Sequence, residues 1–219
     1  YFRDWVPFDG SGPDTVQYAT APHYPVGHAL TLFTSGSSSL VAKRSAVTSG
    51  STTYANLAGP TPLSYSEVSD LQHNKPFSEI PPFDTPGSYA HWTSAALKHR
   101  VDVVGVPRAT LHLTAPLASS VAPGTEIEMF LKLYDVAPTG SVTLVHRLVA
   151  PVRVLDPSKP LHVQLPGIVH RFAAGDRIEL VAAATDTAFR NSNLIQPITV
   201  TTTRVAPGVL RLPVVGNNR

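Results

Sequence analysis

Apolar residues recur at every second position in one stretch of this chain after another, and almost nowhere with a helical spacing. Over residues 125–136, Ile127, Met129, Leu131 and Leu133 share one face, while Glu128, Phe130, Lys132 and Tyr134 share the other. Over 177–184, Ile178, Leu180, Ala182 and Ala184 oppose Arg177 and Glu179. Over 109–116, Leu111 and Leu113 oppose Thr110, His112 and Thr114. Period two belongs to the β-strand, whose successive side chains point to opposite faces. The same reasoning predicts strands over 30–34, 100–106, 142–149, 161–165, 198–204 and 209–215. Most of the 21 prolines and 14 glycines fall between and around these stretches, where they turn the chain and interrupt helices. Helix is expected only as a last turn within 1–6 and as one short segment over 66–72 with Ser66 as N-cap. About nine short strands at this spacing predict an all-β fold, a jelly-roll-like sandwich of two sheets.

The regularity is uneven. From Arg100 onward the alternation is clean, whereas the first 96 residues carry the runs "SGSSS", "TSGSTT", "AGPTPLS" and "EIPPFDTPGS". The expected organisation is therefore a loop-rich segment with the first strands over 1–96 and a sandwich core over 97–219. The chain opens Tyr1-Phe2-Arg3-Asp4-Trp5 and its sole methionine is Met129, so it reads as a piece of something longer.

Composition narrows the partners. With 42% hydrophobic and 15% charged residues, the chain can build a sizeable core. Its net charge of +2 comes from scattered basic residues, so a nucleic-acid partner is not expected. No apolar run reaches the ~18–20 residues of a membrane helix. The absence of cysteine excludes disulfides, thiolate zinc sites and cysteine nucleophiles. It leaves the compartment open, with secretion from a bacterium favoured over the cytoplasm.

Motifs for catalysis are missing. No G-x-S-x-G offers a nucleophile elbow, and "SGSSS" around Gly36 reads as a hairpin turn. Neither H-x-H nor H-E-x-x-H occurs among the nine histidines. His112 and His162 share parity with polar residues and are expected to be exposed. His146 shares parity with Val142, Leu144 and Leu148, and is expected to be partly buried and hydrogen-bonded. Glu126 and Glu128 sit two apart on one strand, too close to flank a sugar. "DGSGPD" leads into no helix and reads as a simple loop. No catalytic residue, metal or cofactor is expected.

The hairpin "FLKLYDVAPTGSVTLVHR" is more informative. Asp135 continues the inward parity of Leu131 and Leu133 at the end of an apolar strand. A buried carboxylate needs donors. The backbone N–H groups of 137–140 are the nearest, which makes Asp135 and Gly140 organisers of the turn.

Three stretches occur in a telling order: "RVDVVGVPRATLHL", "LYDVAPTGSVTLVHR" and "FAAGDRIELVAAATDTAFRNSN". Together they resemble the C-terminal jelly-roll domain of X-prolyl dipeptidyl-peptidases and the related cocaine-esterase-like acyl esterases and glutaryl-7-aminocephalosporanic-acid acylases. Two departures are visible. Gly175-Asp176-Arg177 stands where the family pattern has G-H-R, and Asp186-Thr187-Ala188-Phe189 lacks the proline of D-x-P. The resemblance implies a galactose-binding-like sandwich and a nucleophilic Ser, Asp and His in an α/β-hydrolase domain preceding Tyr1. That domain is the expected partner, and a homo-oligomer is a further possibility. It also implies that the loop after strand 177–184 faces the hydrolase, with Asp186, Phe189, Arg190 and Asn191 as interface candidates. The alternative is a stand-alone carbohydrate- or ligand-binding module. A row of exposed aromatics would favour it, and Phe130 and Tyr134 supply only two positions.

Overall fold

The computed structural model describes residues 1–3, 18–56, 64–65, 83–118, 126–192 and 195–216. The segment expected as helix over 66–72, the loop "DGSGPD" and residues 4–6 lie outside these residues. The described part of the opening is extended: Phe2 bridges to Tyr18, and the Ala19 N–H donates to the Tyr1 carbonyl.

Among the described residues fifteen strands follow one another: β1 His28–Ser35, β2 Ser39–Val41, β3 Gly50–Asn56, β4 Ser64–Tyr65, β5 Phe83–Asp84, β6 Tyr89–Ser94, β7 Val101–Gly105, β8 Arg108–Thr114, β9 Ile127–Val136, β10 Val142–Val154, β11 Leu161–Gln164, β12 Ile168–Phe172, β13 Arg177–Ala183, β14 Gln196–Thr202 and β15 Val209–Val215. The fold is an all-β sandwich. One layer is the antiparallel run β10-β9-β13-β6. In the other, β15 pairs with β1, β7 and β8, and outward from these come β12, β11, β14 and β3. Short β2 joins the layers, pairing antiparallel with β1 and parallel with β6 through Ser39↔Thr93 and Leu40↔Ser94.

The opposite side is closed by histidines. On β12, His170 Nε2 lies 3.0 Å from Asp135 Oδ2 of β9. On β10, His146 donates from Nε2 to the Val169 carbonyl at 2.9 Å. A bulge makes this reach possible: the β10–β9 register shifts between Leu144 and Val149, and His146 and Arg147 take φ of 51° and 55°. The bulge also overrides parity. His146 keeps the expected hydrogen bond but is exposed. His112 is half-buried and His162 exposed.

The interior draws on the whole chain. Leu32, Leu40, Tyr54, Ala90 and Trp92 share one core with Val103, Leu111, Met129, Phe172, Leu180 and Leu212. Each large side chain here gains about 2–3 kcal/mol by leaving water. Strands on the two sides of the expected 96/97 division pair with each other. β6, just before it, pairs with β13, and β1 pairs with β15 along six residues. The "SGSSS" run does make the turn between β1 and β2, with Ser35 opposite Ser39. "TSGSTT" instead enters β3, because threonines suit a strand face as well as a loop: Thr53 Oγ1 meets Thr199 Oγ1 of β14 at 2.8 Å. Gly50 is required there, since a Cβ would come within 2.5 Å of the Gly36 backbone.

Candidate functional site

The strand β9 is buried on both faces. Met129, Leu131 and Leu133 face the sandwich interior, while Phe130 and Tyr134 join Leu144, Val149, Val181 and Ala183 in a second apolar cluster on the outer side. Phe130 and Tyr134 are thus not exposed aromatics, being 0% and 3% accessible. Between them lies Lys132, whose side chain is completely buried.

A buried ammonium is costly unless paired. Here two carboxylates reach it. Lys132 Nζ is 2.6 Å from Asp84 Oδ1 on β5 and 3.0 Å from Asp186 Oδ2 beyond β13. The other oxygen of Asp84 accepts the Tyr134 hydroxyl at 2.8 Å. Burial first, and then the Asp84 carboxylate, push the Tyr134 phenol far above its ordinary range, so it stays a donor. Tyr89 nearby is also raised, by burial and then by Glu179 and Asp84. Thr93 donates to Glu179 on the same face. A small concavity of about 190 Å³ opens beside this cluster, lined by Phe83, Asp84, Tyr89, Tyr134, Val142 and Glu179 among others.

The cluster holds the loop that leaves β13. Asp186 Oδ1 accepts the Ala188 N–H at 3.0 Å, and the Asp186 N–H donates to Asn191 Oδ1 at 2.9 Å. Where the family pattern has a proline, Ala188 thus supplies an N–H that proline lacks. The Ser192 hydroxyl accepts the Glu128 N–H at 2.6 Å, fixing the far end on β9. Phe189 stacks on Phe130 with centroids 5.7 Å apart and rings 29° from parallel, yet remains 38% accessible. Arg190 is exposed. Of the interface candidates, then, Asp186 is an internal anchor and Asn191 closes the loop on it, while Phe189 and Arg190 present themselves outward. The internal charged contact of Asp186 runs to Lys132.

Sequence reasoning missed Lys132, Asp84 and Tyr134. The available signal was Lys132 flanked at two-residue spacing by Phe130 and Tyr134, since a solvated face has no need of two aromatics. For Asp135 and Gly140 the turn is present but is held differently. The Ala137 N–H donates to Ser141 O and the Gly140 N–H to Ala137 O, so backbone closes the turn. Gly140 adopts φ 86°, as a left-handed turn position requires. Asp135 is engaged by His170 instead, and its Oδ1 has no hydrogen-bond partner among the described residues. His170 also packs edge-on against His146 and Phe172, at centroid distances of 5.6 and 4.7 Å. This His–Asp pair bridges the two layers. Among the described residues, no group of three or more His, Asp or Glu is placed to hold a metal ion.

Among the described residues, the buried polar side chains of the sandwich mostly brace strands and loops. The chain belongs to the family of X-Pro dipeptidyl-peptidase C-terminal non-catalytic domains, whose model matches residues 5–207. A non-catalytic domain of this family implies a catalytic partner domain. Solved structures share the fold. An α-amino acid ester hydrolase is 16% identical, with a TM-score of 0.63 over 85% of this chain and 36% of its own. An aminopeptidase from a marine sediment Thaumarchaeota archaeon is 15% identical, with a TM-score of 0.63 over 89% of this chain and 38% of its own. A CocE/NonD family hydrolase from Staphylococcus aureus is 12% identical, with a TM-score of 0.56 over 87% of this chain and 37% of its own. The chain thus spans little more than a third of each of these proteins. No curated protein sequence matches it.

Proposed function

We propose that this chain covers the catalytic domain of a serine hydrolase and shapes the entrance to its active site, with Phe189 and Arg190 as docking residues. The observation that carries the reading is the anchoring of an exposed loop by a buried ion cluster. Isolated surface loops do not need a fully desolvated lysine beneath them, because a buried pair is weak support for stability as such. It is useful where a loop must hold one geometry, as a docking loop does. Phe189 supports this: stacked on Phe130, it is oriented in advance but still exposes over a third of its surface.

The relatives bear names of ester and peptide chemistry, an amino acid ester hydrolase and an aminopeptidase. In the whole enzyme, the partner's serine oxygen would attack an ester, amide or Xaa-Pro carbonyl. The leaving alcohol or amine would take a proton, and water would then release the acid from the acyl-serine. This chain contributes walls and orientation to that reaction rather than reacting groups.

The test is site-directed cross-linking of the chain co-expressed with its catalytic domain. A photoreactive probe on Ala188→Cys should label the catalytic domain, and one on Ser158→Cys, in the turn after β10, should not. Equal labelling from both positions, or none from 188, would refute the placement.

A further inference from the structure

The other layer carries an arrangement that neither the fold nor the docking loop uses. In the β8–β15 pair, Arg108 lies directly opposite Arg211. Their neighbours Ala109 and Leu210 are buried, so both arginines leave by the outer face and are exposed. On the other flank, β11 sets Gln164 opposite Arg108 and His162 opposite Thr110. Thr110 Oγ1 is 3.1 Å from His162 Nδ1, which leaves the other ring nitrogen for a ligand.

Like charges placed directly across an antiparallel pair work against the sheet. Nothing among the described residues offsets them. Neither guanidinium has a hydrogen bond or ion pair there, and three acids of the described residues are committed elsewhere: Asp102 to Arg171, Glu126 to Arg153, Asp156 to Lys159. The two guanidiniums line a concavity of about 420 Å³ together with Thr110, His162, Gln164 and Val209. A second concavity of about 310 Å³ adjoins it and shares both arginines. Among the described residues, no carboxylate lines either one.

The geometry points to a binding site for a small oxyanion, the phosphate or carboxylate group of a small molecule, held between Arg108 and Arg211. Paired guanidiniums present parallel N–H forks that match these planar and tetrahedral anions, and imidazole and amide groups add donors at the rim. The size of the concavities suits a small molecule. The site lies on the layer away from β13 and its loop, so it stands or falls independently of the docking reading.

Calorimetric titration of the 219-residue chain with inorganic phosphate, glucuronate and glucose at low salt tests it. Saturable binding of phosphate, glucuronate or both, with none of glucose, is expected, and the preferred anion identifies the ligand group. Arg108→Gln and Arg211→Gln should each weaken binding at least tenfold, Arg108→Lys less, and Arg190→Gln not at all. Thermal unfolding supplies a second readout. Without ligand, Arg211→Gln should melt no lower than wild type, because a repulsion is removed, while losing the rise in Tm that the anion gives. Absence of binding by both anions, equal binding of glucose, or undiminished binding by both glutamine variants would overturn the site. So would a result in which neither anion binds but the variants weaken association with the catalytic domain, which would make the arginines docking contacts.

Discussion

Lys132 Nζ lies 2.6 Å from Asp84 Oδ1, on strands far apart in sequence, with the lysine side chain wholly shielded from water. Asp186 approaches the same ammonium from a third element. One cation thus ties β5, β9 and the loop after β13 together on the outer face of the sheet. Lys132→Met should cost about 3–5 kcal/mol, because it strands two buried carboxylates. The triple variant Lys132→Met, Asp84→Asn, Asp186→Asn should recover most of that loss. Urea unfolding of both decides the point. A single variant as stable as wild type would show that the cluster is not coupled to folding.

Tyr134→Phe removes one donor to Asp84 without opening a cavity. The loss should be about 1.5–3 kcal/mol, the range for hydrogen bonds to charged groups. Thermal or denaturant unfolding measures it, and a change within experimental scatter would mean that Asp84 is satisfied by Lys132 alone.

Strands β1, β2, β3 and β6, ahead of residue 97, contribute to the core, so a chain of 97–219 should not fold cooperatively. It would lose β6 from beside β13 and β1 from beside β15, together with Trp92, Leu32 and Tyr54. Near-UV circular dichroism should show no fixed aromatic environment. A native-like spectrum with a cooperative melt would support the division into linker and core.

Two glycines should behave differently for physical reasons. Gly50→Ala drives a methyl into the Gly36 backbone at 2.5 Å and should cost about 1–3 kcal/mol or displace the β1–β2 hairpin. Gly140→Ala meets no atom within 4 Å and should cost only the left-handed backbone, about 1–2 kcal/mol. Equal and negligible effects at both sites would contradict the close crossing at 36–50.

Much of the fold was legible because most strands bury one face only. β8 and β15 show plain alternation, β13 shows it over its first half before both faces are buried, and each was anticipated to within a residue or two at its ends. β9 was legible as a strand but not as a site. Its second face is covered by residues distant in sequence, so Lys132 read as a polar position when it is a buried ion. β3 and β6 were missed for different reasons. Threonine and serine serve strands and loops alike, and Tyr89–Ser94 follows a proline-rich run that dominates its neighbourhood. The partner of Asp135 was hidden too, because the nearest donors along the chain were already bonded and His170 came from another layer.

The docking role of the loop is the central claim, and binding affinity tests it most directly. The chain and its catalytic domain would be purified separately and their association titrated by calorimetry. Phe189→Ala should weaken it by about 1–2 kcal/mol, roughly 5- to 30-fold, through lost apolar contact. Arg190→Glu should weaken it further and slow association. Both substitutions should leave the melting temperature of the chain nearly unchanged, since Phe189 is only partly buried and Arg190 is exposed. Association that is unchanged in both variants would contradict the account.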